Sequence, residues 1–131
     1  MVAIKYSQLE HYDIISQWWK AHNWPVIPQD HLPKCGYIVY MQDTPIIAGF
    51  VYKTDSAFCL FEFIVANPEI TGIKRSMAFD FLVEAVVEYS IEIGAKSLFI
   101  SATNEGLMKK LQKNSFIKTD TNMTNFIRRL K

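Results

Sequence analysis

The sequence predicts an α/β domain built on a mixed sheet, and three observations carry that expectation. First, three β-rich runs, Gly36–Met41, residues 46–53 and Phe58–Ala66, follow one another across the short turns QDTP and Thr54-Asp55-Ser56, the pattern of an antiparallel meander. Second, an apolar-periodic helix over residues 74–93 and a short apolar strand at 97–101 follow the meander, so strand, helix and strand make a parallel crossover. Third, 131 residues of which 50% are apolar suit one domain over residues 1–131 with a real core, and exclude a disordered chain.

The elements follow in order. Residues 2–6 alternate like a short strand, and Ser7 is placed to cap the turn after it. Residues 11–22 read as a helix with Ile14, Ile15, Trp18 and Trp19 near one face, ended by Asn23 and Pro25. The segment NWPVIPQDHLP, residues 23–33, holds three prolines and reads as a loop with one helical turn at 29–32. Its length and its aromatic suit a wall of a binding site better than a plain connection. In the long helix, Met77, Phe81, Leu82, Ala85, Val86, Tyr89 and Ile93 keep helical spacing, and Gly94 supplies the stop. Asn104 opens and caps a helix over 104–114, and residues 116–119 and 123–130 flank the turn DTN as a closing hairpin. The expected order is β-α-α-β-β-β-α-β-α-β-β.

Composition removes several function classes. Fourteen basic against 13 acidic residues leave a net charge of +1, which gives no support for a nucleic-acid or membrane-binding surface in bulk. The longest apolar run, Phe58–Ala66, carries Glu62 and falls short of the ~20 residues of a membrane span. No basic region followed by an apolar core opens the sequence, and Cys35 and Cys59 lack the C-x-x-C spacing, so reduced packing thiols in a cytoplasmic protein are expected. His11, His22 and His31 have no metal-ligand spacing, and no zinc site is expected. Neither a nucleotide P-loop nor a Ser-His-Asp arrangement is present.

The chemistry concentrates between Phe58 and Leu82, FCLFEFIVANPEITGIKRSMAFDFL. A strand feeds a helix through a short bend, so the unpaired N–H groups of the helix's first turn point at whatever sits there. Lys74 and Arg75 lie at the mouth of that helix, where cations oppose the helix dipole unless an anion offsets them. This arrangement suits a phosphate-bearing ligand.

The same stretch resembles the central motif of the GCN5-related N-acetyltransferases, a strand of the form I-E-x-L-x-V-x-P leading into the acetyl-CoA pyrophosphate loop R/Q-x-x-G-x-G/A. FEFIVANP supplies the strand, with Glu62 six residues before Pro68, and the loop aligns onto Thr71, Gly72, Ile73, Lys74, Arg75 and Ser76. Thr71 stands where Arg or Gln is usual and Lys74 where Gly is, while Ser76 keeps the small last position. Downstream, NEGLMKKLQKNSF resembles the family's N-x-x-A-x-x-x-Y-x-K-x-G-F helix: Asn104, Lys113 and Phe116 are kept, Leu111 replaces the Tyr, and Ser115 replaces the Gly.

The resemblance implies a sheet splayed between its fourth and fifth strands, with the pantetheine arm of acetyl-CoA filling the gap. It assigns the arm to the backbone of Ile64, Val65 and Ala66, and the pyrophosphate to the amides of Gly72, Ile73, Lys74, Arg75, Ser76 and Met77. Asn104 joins these as a cofactor-binding residue. Glu62 is the expected general base for an amine acceptor, small molecule or protein, and no metal takes part. Trp24, between Asn23 and Pro25, and His31 in the Pro-rich loop are the expected acceptor contacts. Leu111 leaves the general acid unassigned, and Thr71, Lys74, Leu111 and Ser115 together favour the alternative, a GNAT-fold module that binds or supports without catalysis. Monomer and homodimer are both compatible with the sequence.

Overall fold

A computed structural model describes residues 1–130. The chain forms two compact units, one over Met1–Ser101 and one from Ala102 onward. The first holds a five-stranded sheet in the order β1 (Val2–Lys5), β2 (Gly36–Met41), β3 (Thr44–Tyr52), β4 (Phe58–Ala66), β5 (Ser97–Phe99). Neighbours from β1 to β4 are antiparallel, and β4 and β5 are parallel, joined by helix α2 (Gly72–Glu92). This is the mixed sheet the sequence implies.

Alternation along β3 assigns the two faces. Ala48 and Phe50 join Ile38 and Val65 in a buried cluster with Ile15, Trp18 and Trp19 of helix α1 (Gln8–Ala21). Gly49, between them, points the other way: a Cβ there would lie 2.7 Å from the Phe61 ring and 3.2 Å from Leu82 of α2. Burying side chains of this size contributes about 1.5–3 kcal/mol each, so both faces of β3 anchor the fold. α1 begins at Gln8, ahead of the apolar periodicity, and Ser7 does not cap it with its side chain. Instead the Ser7 main-chain N–H donates to Nδ1 of the buried His11 at 2.8 Å.

The loop after α1 contains one 3₁₀ turn, Gln29–His31. Two phenols fasten it: Tyr12 donates to the Ile27 carbonyl at 2.7 Å, and Tyr52 to the His31 carbonyl at 2.6 Å.

In the second unit, α3 (Glu105–Lys113) is capped as expected, with the Asn104 side chain accepting from the Leu107 N–H at 3.1 Å. The expected closing hairpin is not formed: among the described residues, none from 116 to 130 lies in a strand. Ile117, Met123, Phe126, Ile127 and Leu130 are all more than 70% exposed. Two strands alone are marginal in water unless an apolar face is covered, and no described residue covers these side chains. Only the bend survives, with Asn122 at φ 58° inside DTN.

Candidate functional site

β4 is the element on which the site is built. Its pairing with β5 covers Phe58, Cys59 and Leu60, so among the described residues Phe61–Ala66 continues with no strand partner on that edge. On the other edge a bulge interrupts the ladder, for Ala48 pairs with Val65 but Phe50 pairs with Glu62. The extra residue is accommodated at Phe63, whose φ of 57° lies in the left-handed region. A bulge bends its strand, and here it falls just past the point where β4 and β5 part. Main-chain groups there are left for a partner other than a strand.

Glu62 faces α1, because its cross-strand partner Phe50 belongs to the core on that side. It is half-buried and has no hydrogen bond or ion pair among the described residues, and burial raises its carboxyl above the ordinary carboxylate value. Tyr52 lies close by on the same face, and its phenol is pushed up to about 12 by burial and then by the Glu62 charge. The Tyr52 ring meets the Phe63 ring edge to face, centroids 6.0 Å apart. Neither Tyr52 nor Phe63 is among the site residues that the sequence motif points to. The available signal for Tyr52 was register: across the Thr54–Ser56 turn it pairs with Leu60, and Leu60 and Glu62 share a face.

The bend between β4 and α2 is held by two residues. Asn67 is buried; its side chain donates to the Pro45 carbonyl at 3.0 Å and accepts from the Glu69 N–H at 3.0 Å. Arg75 turns back onto the same bend, Nε donating to the Ile70 carbonyl at 2.8 Å and Nη2 to the Asn67 carbonyl at 3.0 Å. Its guanidinium therefore shapes the loop. Lys74, Ile73 and Gly72 are exposed, Met77 is nearly half exposed and Ser76 is half-buried. Thr71 makes no side-chain cap and no acid lies in the first turn, so the opening amides of α2 have no capping side chain. Gly72 turns the chain into the helix at φ 66°, a conformation glycine adopts without steric cost.

The remaining sequence candidates divide. Ile64 and Val65 lie on the part of β4 beyond β5, Val65 fully buried. The carbonyl of Ala66 is engaged: His22 Nε2 lies 2.9 Å from it and is the donor, since a carbonyl only accepts. Trp24 stacks on His22, centroids 4.6 Å apart, and is 50% exposed. This brings Trp24 to the C-terminal end of β4 through a histidine that sequence reading left aside. His31 reaches the site through its main chain; its exposed ring pairs with Asp30 at 2.9 Å. Asn104 spends its side chain on capping α3.

A cavity of about 290 Å³ lies on the opposite face of the sheet, lined by Tyr37, Tyr89 and the stripe Glu84, Glu88 and Glu92. It does not include Glu62. Among the described residues no group of His, Cys, Asp and Glu side chains could hold a metal ion, and no helix is long and apolar enough to cross a membrane.

No protein-family model matches the sequence, and no curated protein matches it. Solved structures match the fold over nearly the whole chain, and several of them are named as acetyltransferases. A probable acetyltransferase superposes with a TM-score of 0.73 at 15% identity, covering 100% of this chain and 99% of that one. An acetyltransferase of Trypanosoma brucei gives 0.67 at 10% identity, covering 95% and 98%. Rv2747 of Mycobacterium tuberculosis, solved in complex with CoA, gives 0.74 at 10% identity, covering 95% and 76%. The chain thus has the acetyltransferase fold that its strand-bend-helix motif implies.

Proposed function

We propose that this chain is an acetyl-CoA-dependent N-acetyltransferase that passes the acetyl group directly to an amine, with Glu62 as the base. The observation that supports it most is the unpaired, half-buried Glu62 carboxylate beside a bulge where β4 has lost its strand partner. The free edge beyond Leu60 suits the pantetheine arm of the acetyl donor, and the uncapped amides from Gly72 suit its pyrophosphate, with Lys74 adding a point charge. That a fold neighbour is solved in complex with CoA supports the same donor.

An amine with pKa about 10.4 is only ~0.04% neutral at pH 7, so a base that recovers the neutral nucleophile offsets roughly 4–5 kcal/mol. Burial that lifts the Glu62 carboxyl makes it a better proton acceptor than an exposed glutamate. The amine nitrogen bonds to the thioester carbon, the carbon–sulfur bond breaks, and the amine proton passes to Glu62, directly or through water. The thiolate takes its proton from solvent, because Leu111 stands where the family has Tyr. The acceptor is a small-molecule or protein amine, and two free thiols fit a cytoplasmic setting.

Acetyl-CoA at 100-fold over its dissociation constant should add about 2.7 kcal/mol of stability, read as a rise in melting temperature. Glu62→Gln should keep that shift and lower turnover by about 10²-fold or more. A shift without turnover on any amine would favour the second reading, a binding module without catalysis, which Leu111 and the engaged Ala66 carbonyl support. No shift with CoA or acyl-CoA at millimolar concentration removes the donor altogether.

A further inference from the structure

Neighbouring residues on a strand point to opposite faces, so Glu62 and Phe63 should not meet on one side of the sheet. The bulge changes that: with φ 57° at Phe63, the phenyl ring reaches the Tyr52 ring, which packs on the same core face as Phe50, the partner of Glu62. A carboxylate without a partner, a phenol and a phenyl ring are thereby gathered on one face. Phe63 is 38% exposed, so this corner is open to solvent. A left-handed backbone is unfavourable for phenylalanine, yet glycine, which adopts it freely, is absent here. A ring kept at such a backbone position indicates a use for the ring.

Resting on the acetyl-transfer reading, we propose that Glu62, Tyr52 and Phe63 form the acceptor-binding corner, and that Phe63 selects a primary ammonium carried on an apolar, aryl-bearing skeleton. The half-buried carboxylate pairs with the ammonium, which is also attracted to the faces of the two rings. The edge-to-face ring pair offers flat apolar surface to the skeleton beyond the nitrogen. Acidic or neutral acceptors gain nothing from an unpaired carboxylate. The Tyr52 hydroxyl, already donating to the His31 carbonyl, fixes its ring without competing for the ligand's N–H groups.

Binding can be measured on the full chain without an acyl donor, using phenethylamine, ethylamine and phenethyl alcohol as probes in ligand-observed NMR. Phenethylamine should bind at least ten-fold tighter than the alcohol, and Phe63→Gly should cut the preference for phenethylamine over ethylamine at least ten-fold. That variant removes the ring and relieves the backbone, so its melting temperature should not fall. Tyr52→Phe, which keeps the ring, should retain the preference. Equal binding of amine and alcohol, failure of phenethylamine to bind, or an unchanged preference in Phe63→Gly would each overturn the assignment. The two readings fail separately: phenethylamine binding without acetyl transfer supports this corner against catalysis, and transfer with a preference indifferent to Phe63 does the reverse.

Discussion

At the scale of single residues, Glu62 makes a prediction that is independent of catalysis. Its carboxyl is raised in the folded state above the ordinary 4.5 by burial, so the folded protein binds the proton more readily than the unfolded chain. Stability therefore falls as pH rises from the unfolded value through the folded one, and the penalty is fully present above the folded value. Glu62→Gln should accordingly melt higher than wild type at pH 7, with the difference fading as pH drops below the unfolded value. A variant that melts lower at pH 7 would mean the carboxylate has a stabilising partner. Ser115 is a second such residue. It follows α3 at φ 70°, with the Phe116 N–H bonded to the Leu111 carbonyl at 3.0 Å, the closure of a helix end that glycine favours. Ser115→Gly should stabilise by roughly 0.5–1 kcal/mol, visible as a melting temperature a few degrees higher. A glycine here would adopt this backbone freely, and Ser115 meets the same geometry at a cost.

At the scale of elements, what could be read from the sequence was what composition marks. β2 and β4 run over Gly36–Met41 and Phe58–Ala66, as their apolar runs between turn residues indicate. α1 and α2 start earlier than their apolar periodicity, at Gln8 and Gly72, because the apolar residues of those first turns, Leu9 and Ile73, are exposed and lie off the buried face. The bulge was not legible. No glycine marks it on β4, and its one signal lies across the ladder at Gly49. Gly49 stands between the two paired positions where the register shifts, in contact range of Phe61, Ile64 and Leu82. An added methyl would press on the Phe61 ring, itself fully buried, so that something must shift to admit it. Gly49→Ala should therefore destabilise by about 1–3 kcal/mol, measured as a lower urea midpoint at unchanged slope. An unchanged midpoint would mean that the bulged segment can shift to admit the methyl. Arg75 was singled out for a phosphate and not for the loop it holds, and His22 not for β4, for a related reason: both act on main-chain carbonyls, and a carbonyl's need for a donor leaves no mark in the sequence.

At the scale of the molecule, the expected hairpin and the observed C-terminal segment are the largest difference between sequence and structure. β3 is bonded on both edges and buried on both faces, so its amides should exchange with solvent only through global unfolding. Residues 116–130 belong to no ladder, and their large apolar side chains are exposed. The amides from residue 117 onward should exchange within seconds at neutral pH, while those of β3 stay protected orders of magnitude longer, in hydrogen-exchange mass spectrometry of a dilute sample. The apolar and β-branched composition that suggested strands there is still a demand for a covered face. If that face comes from a second copy, protection should appear in 116–130 as protein concentration rises, together with a doubled mass by light scattering. Protection at every concentration, equal to that of β3, would instead show that the segment pairs within its own chain, as the sequence pattern first suggests.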